Sequence, residues 1–347
     1  MSTIADKIKS LVDIKTAIKS KLAALGLNPS DKFASYASNI NSISNLSLAH
    51  LLQCKTTDEA AALPTTISIA PNFSSIGLCD MSYFMSIDDT ASSSCKVESI
   101  TFPSNFNTSN VITFASAFSG CSSLTSTDLS TFNVSKCTSF VSMFYNCTNL
   151  TTLGDISSWD ISKGSNLGQM FKNCSNLVFP NLSTWSLINA ASVDSMFSGC
   201  KQLTQFTNES VMHPSAIGGW FYGCDSLESV SLPNISLDSH QYNPWGVFIA
   251  CPKLHNLVLG EGFGRIPVDM TLDLSQTSSS ATTDYSAYTF SDDTWSALLG
   301  LYDRSTFNTT FNTTFTIIFH PSHKTNYSNW DTFVEQMTAR NYTITIS

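Results

Sequence analysis

The apolar positions of this chain follow two periods in alternation. In residues 227–232 and 254–259 they fall at Leu227, Val230 and Leu232, and again at Leu254, Leu257 and Leu259. The last pair of each set alternates with polar residues, which predicts a short strand with one buried face. Between such strings the steps lengthen to three or four. Cys137, Phe140, Met143/Phe144 and Cys147 lie on one face of a helix of roughly ten residues, with Asn133 or Ser135 as its cap. Such a helix spans ~15 Å, and a five-residue strand spans ~16 Å. The two runs bring the chain back to its starting level, one layer further on. That is the geometry of a solenoid.

The alternation is a true repeat. Phe-x2-Cys-x2-Leu occurs at Phe118/Cys121/Leu124, Phe144/Cys147/Leu150, Phe171/Cys174/Leu177, Phe197/Cys200/Leu203, Phe221/Cys224/Leu227 and Phe248/Cys251/Leu254. Successive cysteines are 26, 27, 26, 24 and 27 residues apart, and Cys95 marks a worn seventh copy 26 residues before Cys121. Repeats at this spacing stack so that neighbours bury a continuous core. A large residue stands between strand and helix at Phe106, Phe132, Trp159, Trp185 and Ile235; its register places it in that core. The repeated cysteine reads as a small buried hydrophobe. Its copies make no C-x2-C pair and bring no paired histidines, so zinc is not expected. Disulfides between layers are the alternative, disfavoured because identical side chains in a stack point the same way. Cys54, Cys79 and Cys137 lie off this register.

The ends read differently. Ile4, Ile8, Leu11, Ile18, Leu22 and Leu25 keep an alternating four-three spacing up to Gly26, and Phe33, Tyr36, Ile40 and Ile43 give a second amphipathic run. This predicts a helical module over 1–46, either a coiled coil or a hairpin. Residues 47–94 form a cap with the first irregular layers, 95–275 the repeats, and 276–347 a C-terminal lid. In the lid, "SDDTWSALLGLY" and "SNWDTFVEQMTARN" read as helices, "FNTTFTIIFH" and "YTITIS" as strands.

Composition narrows the function. Only 12% of the 347 residues are charged, and the net charge is −9, without the basic footprint that nucleic acid requires. Residues 1–55 carry seven Lys and three Asp, so +4, leaving about −13 on the remainder. No stretch approaches the ~20 apolar residues of a membrane span. Lysines interrupt "MSTIADKIKSLVDI", so no secretory h-region is read there and export by the usual route is not expected. No hydrolase, zincin, Walker or calcium-loop motif is present, and no cofactor or metal is expected. "GEGFG" at 260–264 reads as a turn, His320 and His323 of "HPSH" as structural, and Asp292/Asp293 as residues at a helix start. The Asn-x-Ser/Thr triplets, such as those at Asn146 and Asn173, read as a product of composition. The candidate ligand contacts are the outward strand positions Ser126, Asp128, Asn181, Ser229, Ser231 and Asn256, with Tyr222 and Trp245 as aromatic candidates in the irregular late repeats.

"MFYNCTNL", "MFKNCSNL" and "MFSGCKQL", each preceded by a "DLSTF", "DISSW" or "NLSTW" unit, resemble BspA-like leucine-rich repeats of surface proteins over residues 95–275. The resemblance implies an α/β leucine-rich-repeat solenoid of about seven coils of ~26 residues, flanked by the N-terminal helical segment and a C-terminal α/β cap. It implies adhesion and binding, with no catalytic residues to carry over. Residues 11–43, of the form Leu-x2-Ile-Lys-x2-Ile, Gly, Phe-x2-Tyr-Ala-x2-Ile, resemble an N-terminal module of bacteriophage tail and fibre proteins. The last helix–strand–helix–strand string resembles, more loosely, the end of phage-encoded repeat proteins. The combined expectation is a non-enzymatic virion component, a tail-fibre or receptor-binding subunit assembled in the host cytoplasm. Its N-terminal helices dock to other virion proteins and its repeats recognise a host-surface glycan or protein. The four-three seam permits a homo-oligomer such as a trimer. The alternative is a surface adhesin of a host-associated bacterium or protist.

Overall fold

The computed structural model describes residues 46–47, 63, 65–69, 78–87, 95–238, 245–275, 290–305 and 313–347. The helical module expected over 1–46 lies almost wholly outside the described residues, as does Cys54. The chain divides into two compact units, 1–161 and 162–347.

The strands are β1 (Leu46–Ser47), β2 (Thr66–Ser68), β3 (Leu78–Asp80), β4 (Ser99–Thr101), β5 (Ser126–Thr127), β6 (Gln205–Thr207), β7 (Ser229–Leu232), β8 (Asn256–Leu259), β9 (Met270–Leu274), β10 (Phe315–Phe319) and β11 (Thr343–Ile346). The helices are α1 (Asp292–Leu299), α2 (Pro321–Asn326) and α3 (Trp330–Ala339). The first unit holds the sheets β1-β3 and β2-β4-β5, the second β6-β7-β8 and β11-β10-β9, and each pairing is parallel.

This corrects the expected fold class. In place of an α/β solenoid, the described residues form four small parallel sheets joined by turns, with three short helices, all after residue 290. The ten-residue helix read before the repeated cysteine does not form before Cys121, Cys147, Cys174, Cys200 or Cys224. Residues 115–120, 141–146, 168–173, 194–199 and 218–223 are runs of turns. Two positions in each, five and one residues before the cysteine, take left-handed backbone: Ser142 (φ 55°) and Asn146 (φ 59°), or Ser195 (φ 53°) and Gly199 (φ 74°). Left-handed backbone costs an L-residue about 1–2 kcal/mol. Here it turns alternate N–H groups out of the segment. Phe114, Ser116, Phe118 and Gly120 donate to the carbonyls of Ser139, Val141, Met143 and Tyr145 at 2.7–2.9 Å. The N–H groups between them, on Ala117, Ser119 and Cys121, close three-residue turns within their own repeat. Every backbone donor of the run is thereby satisfied without a helix, and half of them tie neighbouring repeats together.

Side chains stack in the same register. In the first unit Phe118 lies on Phe144 (centroids 5.3 Å, planes 3° apart) and Phe114 on Phe140 (6.2 Å, 16°). In the second, Phe171, Phe197, Phe221 and Phe248 form a column at 5.6–5.8 Å. Phe106, Phe132, Trp159, Trp185 and Ile235 are buried, as their register predicts. The eight cysteines whose side chains are described are buried and make no disulfide with one another. Burial pushes the thiol of Cys251 up to about 12 and those of Cys200 and Cys224 well above the ordinary range.

The polar share of the sequence has a local task. In Asp/Asn-x-Ser triplets the first side chain accepts the serine N–H, at Asn107/Ser109, Asp128/Ser130, Asn133/Ser135, Asp155/Ser157, Asn181/Ser183, Asn208/Ser210 and Asp273/Ser275 (2.9–3.1 Å). At Asp128, Asp155 and Asn181 the Asx turn leads the chain to the buried aromatic residues Phe132, Trp159 and Trp185.

In the C-terminal part of the second unit, the helices and strands read from the pattern are present, and β9 pairs in register with β10. Ser291 caps α1, and Thr294 Oγ1 accepts the Leu257 N–H of β8 at 2.7 Å. Trp295, Phe319, Phe333 and Phe290 pack around buried His323, whose imidazole burial pushes down to about 4. His320 caps α2 through its ring. "GEGFG" enters a 3-10 turn over Glu261–Arg265.

Candidate binding cleft

The expected ligand residues separate into several places. In the first unit, Ser126 pairs with Ser99 in β5, while Asp128 is exposed beyond it. The Asp128 carboxylate serves the Ser130 turn, whose hydrogen bonds hold its pKa below the usual range. In the second unit, Gln205, Ser229 and Asn256 lie side by side across β6, β7 and β8, with Thr207, Ser231 and Val258 as the next row. This face ends at α1: Ser291 Oγ donates to Asn256 Oδ1 at 3.3 Å. Asn181, engaged in its own turn, lines a separate hollow of about 310 Å³ beside β6.

Tyr222 and Trp245 come together. Their ring centroids are 5.9 Å apart with planes at 60°, and both rings are exposed at a cleft of about 520 Å³. The other polar side chains there are Lys172, Asn173, Ser198, Lys201 and Asp225. The repeat builds this site. Lys172, Ser198 and Tyr222 stand two residues before successive cysteines, Lys201 and Asp225 one residue after. The floor is the column of left-handed residues Asn173, Gly199, Gly223 and Ala250.

Trp245 occupies the register position held by Asp194 and Gly218 in the two preceding repeats. Its indole lies over a Gly218–Gly219 shelf. A Cβ on Gly219 would come within 3.0 Å of Trp245 Cη2, and one on Gly218 within 3.1 Å of Nε1. No side chain of ordinary size fits beneath the ring. Trp245 is 57% exposed, whereas the other five tryptophans are buried. An exposed indole held against backbone offers a surface for stacking.

The rim carries the charge. Lys201 Nζ is 3.1 Å from Asp225 Oδ2, both side chains about half exposed. An ion pair this exposed is worth about 0–1 kcal/mol, so an incoming carboxylate can replace Asp225 at little cost. The cleft lining carries Lys172, Lys201 and Asp225, and the Asp194 carboxylate lies beside the indole, where a Cβ on Gly218 would meet its Oδ1 at 2.7 Å.

The sequence pattern named the two aromatic residues as candidates and did not name Lys172, Lys201 or the glycines beside them. The signal was available. Reading the positions two before and one after each cysteine down the repeats puts both lysines beside Tyr222.

Comparison with known proteins follows the repeat. Residues 169–292 match the BspA type leucine rich repeat region in six copies, and residues 81–211 match a family described as Mycoplasma protein of unknown function, DUF285. Over residues 169–292 the chain is thus similar to BspA-type leucine-rich repeats. Neither match reaches residues 1–46, so the likeness to phage tail and fibre proteins gains no support from them. No curated protein matches the chain. A solved structure described as a TLR13–ssRNA13 complex is 11% identical over 82% of this chain, with a TM-score of 0.23. The alignment covers 51% of that chain, so the present chain spans about half its length.

Proposed function

We propose that the protein is a non-enzymatic binding protein that acts at a cell surface or after secretion, and that it engages its ligand through the Tyr222–Trp245 cleft. One observation carries the reading: the region matched as BspA-type repeats, 169–292, contains every residue of that cleft. Repeat stacking gives a rigid frame, and rigid frames that hold exposed aromatic rings favour recognition over chemistry.

The test is fractionation of the producing cell together with a cell-binding assay on the purified protein. Recovery in the surface or secreted fraction, with saturable binding to target cells, supports the reading. Retention inside the cell with no such binding overturns it. The virion reading rests on residues 11–43, which resemble phage tail modules; recovery of the protein in purified particles would favour it over a cellular adhesin.

A further inference from the structure

The geometry points to a carboxylated sugar as the ligand of the Tyr222–Trp245 cleft, an inference that rests on the surface-binding reading above. Three features converge. Trp245 rests against the Gly218–Gly219 backbone and is 57% exposed, so it offers an indole surface of the kind that packs against the C–H face of a pyranose. Tyr222, tilted 60° to it at 5.9 Å, walls the same space and brings a hydroxyl to the ring edge. Lys172 and Lys201 place ammonium groups on the rim of a chain that is otherwise acidic. A neutral sugar would use the aromatic wall and leave both lysines idle. A free acid anion would use the lysines and leave the indole idle. A pyranose bearing a carboxylate uses both, with its carboxylate taking the place of Asp225 beside Lys201. The volume of about 520 Å³ suits one or two sugar rings.

Trp245 is also the reporter, because it is the one exposed indole of six. Purified full-length protein would be titrated with tetragalacturonate, with sialyllactose and with neutral maltotetraose, following tryptophan fluorescence and heat of binding. The expected result is saturable binding to at least one acidic sugar, weakened by salt, and binding to maltotetraose at least about tenfold weaker, a difference of about 1.4 kcal/mol. Which acidic probe binds distinguishes a uronic acid from a sialic acid. Trp245→Ala should abolish the signal, and the affinity obtained by calorimetry should drop at least about tenfold. The double variant Lys172→Gln/Lys201→Gln should bind acidic and neutral sugars alike. Unchanged thermal unfolding in these exposed-site variants excludes misfolding as the cause.

Equal affinity for neutral and acidic sugars, or no binding to any of the three, overturns the inference. If cells bind the wild type and the Trp245→Ala variant equally, the sugar assignment and the Tyr222–Trp245 cleft both fail, while the cell-surface binding reading stands. Loss of cell binding after protease treatment alone would identify a protein ligand and also overturn it. Absence of any cell binding overturns the parent reading instead.

Discussion

The Sγ of Cys147 donates to the carbonyl oxygen of Phe118 at 3.1 Å, across one full repeat. The relation recurs down the chain: Cys121 to Met85, Cys200 to Phe171, Cys224 to Phe197 and Cys251 to Phe221, at 3.0–3.1 Å. A thiol is small enough for the packed layer and still carries a donor. Valine would fill the space without the bond. Serine would bring a donor whose shorter bond draws it back from the carbonyl. Cys147→Ala should therefore lower stability by about 1–2 kcal/mol, combining lost packing with a lost hydrogen bond. Urea unfolding measures it, and an unchanged midpoint would show the bond to be idle.

The same burial makes the thiols of Cys200, Cys224 and Cys251 inert. Raised pKa values hold Cys200, Cys224 and Cys251 protonated at neutral pH, and the thiol form is a poor nucleophile. Peptide mapping after iodoacetamide at pH 8 should find these three unmodified in the folded protein and modified in denaturant. Alkylation of the folded chain at any of them would mean that the layer opens readily.

Left-handed backbone and steric closeness can be separated at two glycines. Gly199 and Gly223 have nearly the same φ, 74° and 70°, yet a Cβ would meet Asn173 Oδ1 at 2.6 Å in the first and nothing nearer than 3.9 Å in the second. Gly223→Ala should cost only the conformational term of about 1–2 kcal/mol, and Gly199→Ala should cost more. Equal losses would show that Asn173 moves aside freely.

Arg304 acts as a buried clip. Its Nη1 donates to the carbonyls of Gly264 (2.7 Å) and Ile266 (3.1 Å), and Nη2 to Thr313 Oγ1 (2.6 Å). Arg304→Met keeps bulk and strands these buried acceptors, at a cost of about 3 kcal/mol. Lysine cannot span the set and should rescue little. Thermal unfolding of both variants checks this.

Stability should also fall in mild acid. Burial holds the His323 imidazole near 4, against about 6.5 when unfolded. Between those values the unfolded chain binds a proton that the folded chain refuses. Stability is therefore complete above about 6.5, declines by up to about 3 kcal/mol as pH falls toward 4, and is level below. The aromatic groups around the ring carry no charge, and His320, the titratable neighbour, is also shifted down by burial. His323→Phe should flatten the slope between pH 7 and 4.5 in urea titrations; a slope that persists would place the titration elsewhere.

Much of this was legible in advance at particular residues. Period and spacing identified the columns Phe118/Phe144 and Phe171/Phe197/Phe221/Phe248, the buried cysteines and the large residue at Trp159 and Trp185, because identical positions in stacked repeats meet identical neighbours. The helix before each cysteine was misread. Steps of three and four fit a face of successive turns as well as a helix, and the Asn or Gly at Asn146, Asn173, Gly199 and Gly223 was the sign of left-handed backbone. The ligand candidates divided in the same way. Asp128 and Asn181 turned out to be occupied by Ser130 and Ser183 in local turns, a bond two residues long that the triplets themselves encode.

The sequence by itself determined what repeats and what is buried, since both follow from chemical identity at a fixed interval. Tertiary structure decided where the backbone hydrogen bonds go and which surface residues share a cleft. A donor chooses between its own turn and the next repeat only once that repeat is in place. Trp245, Tyr222 and Lys172 become neighbours only because stacking brings positions 23 to 73 residues apart onto one face.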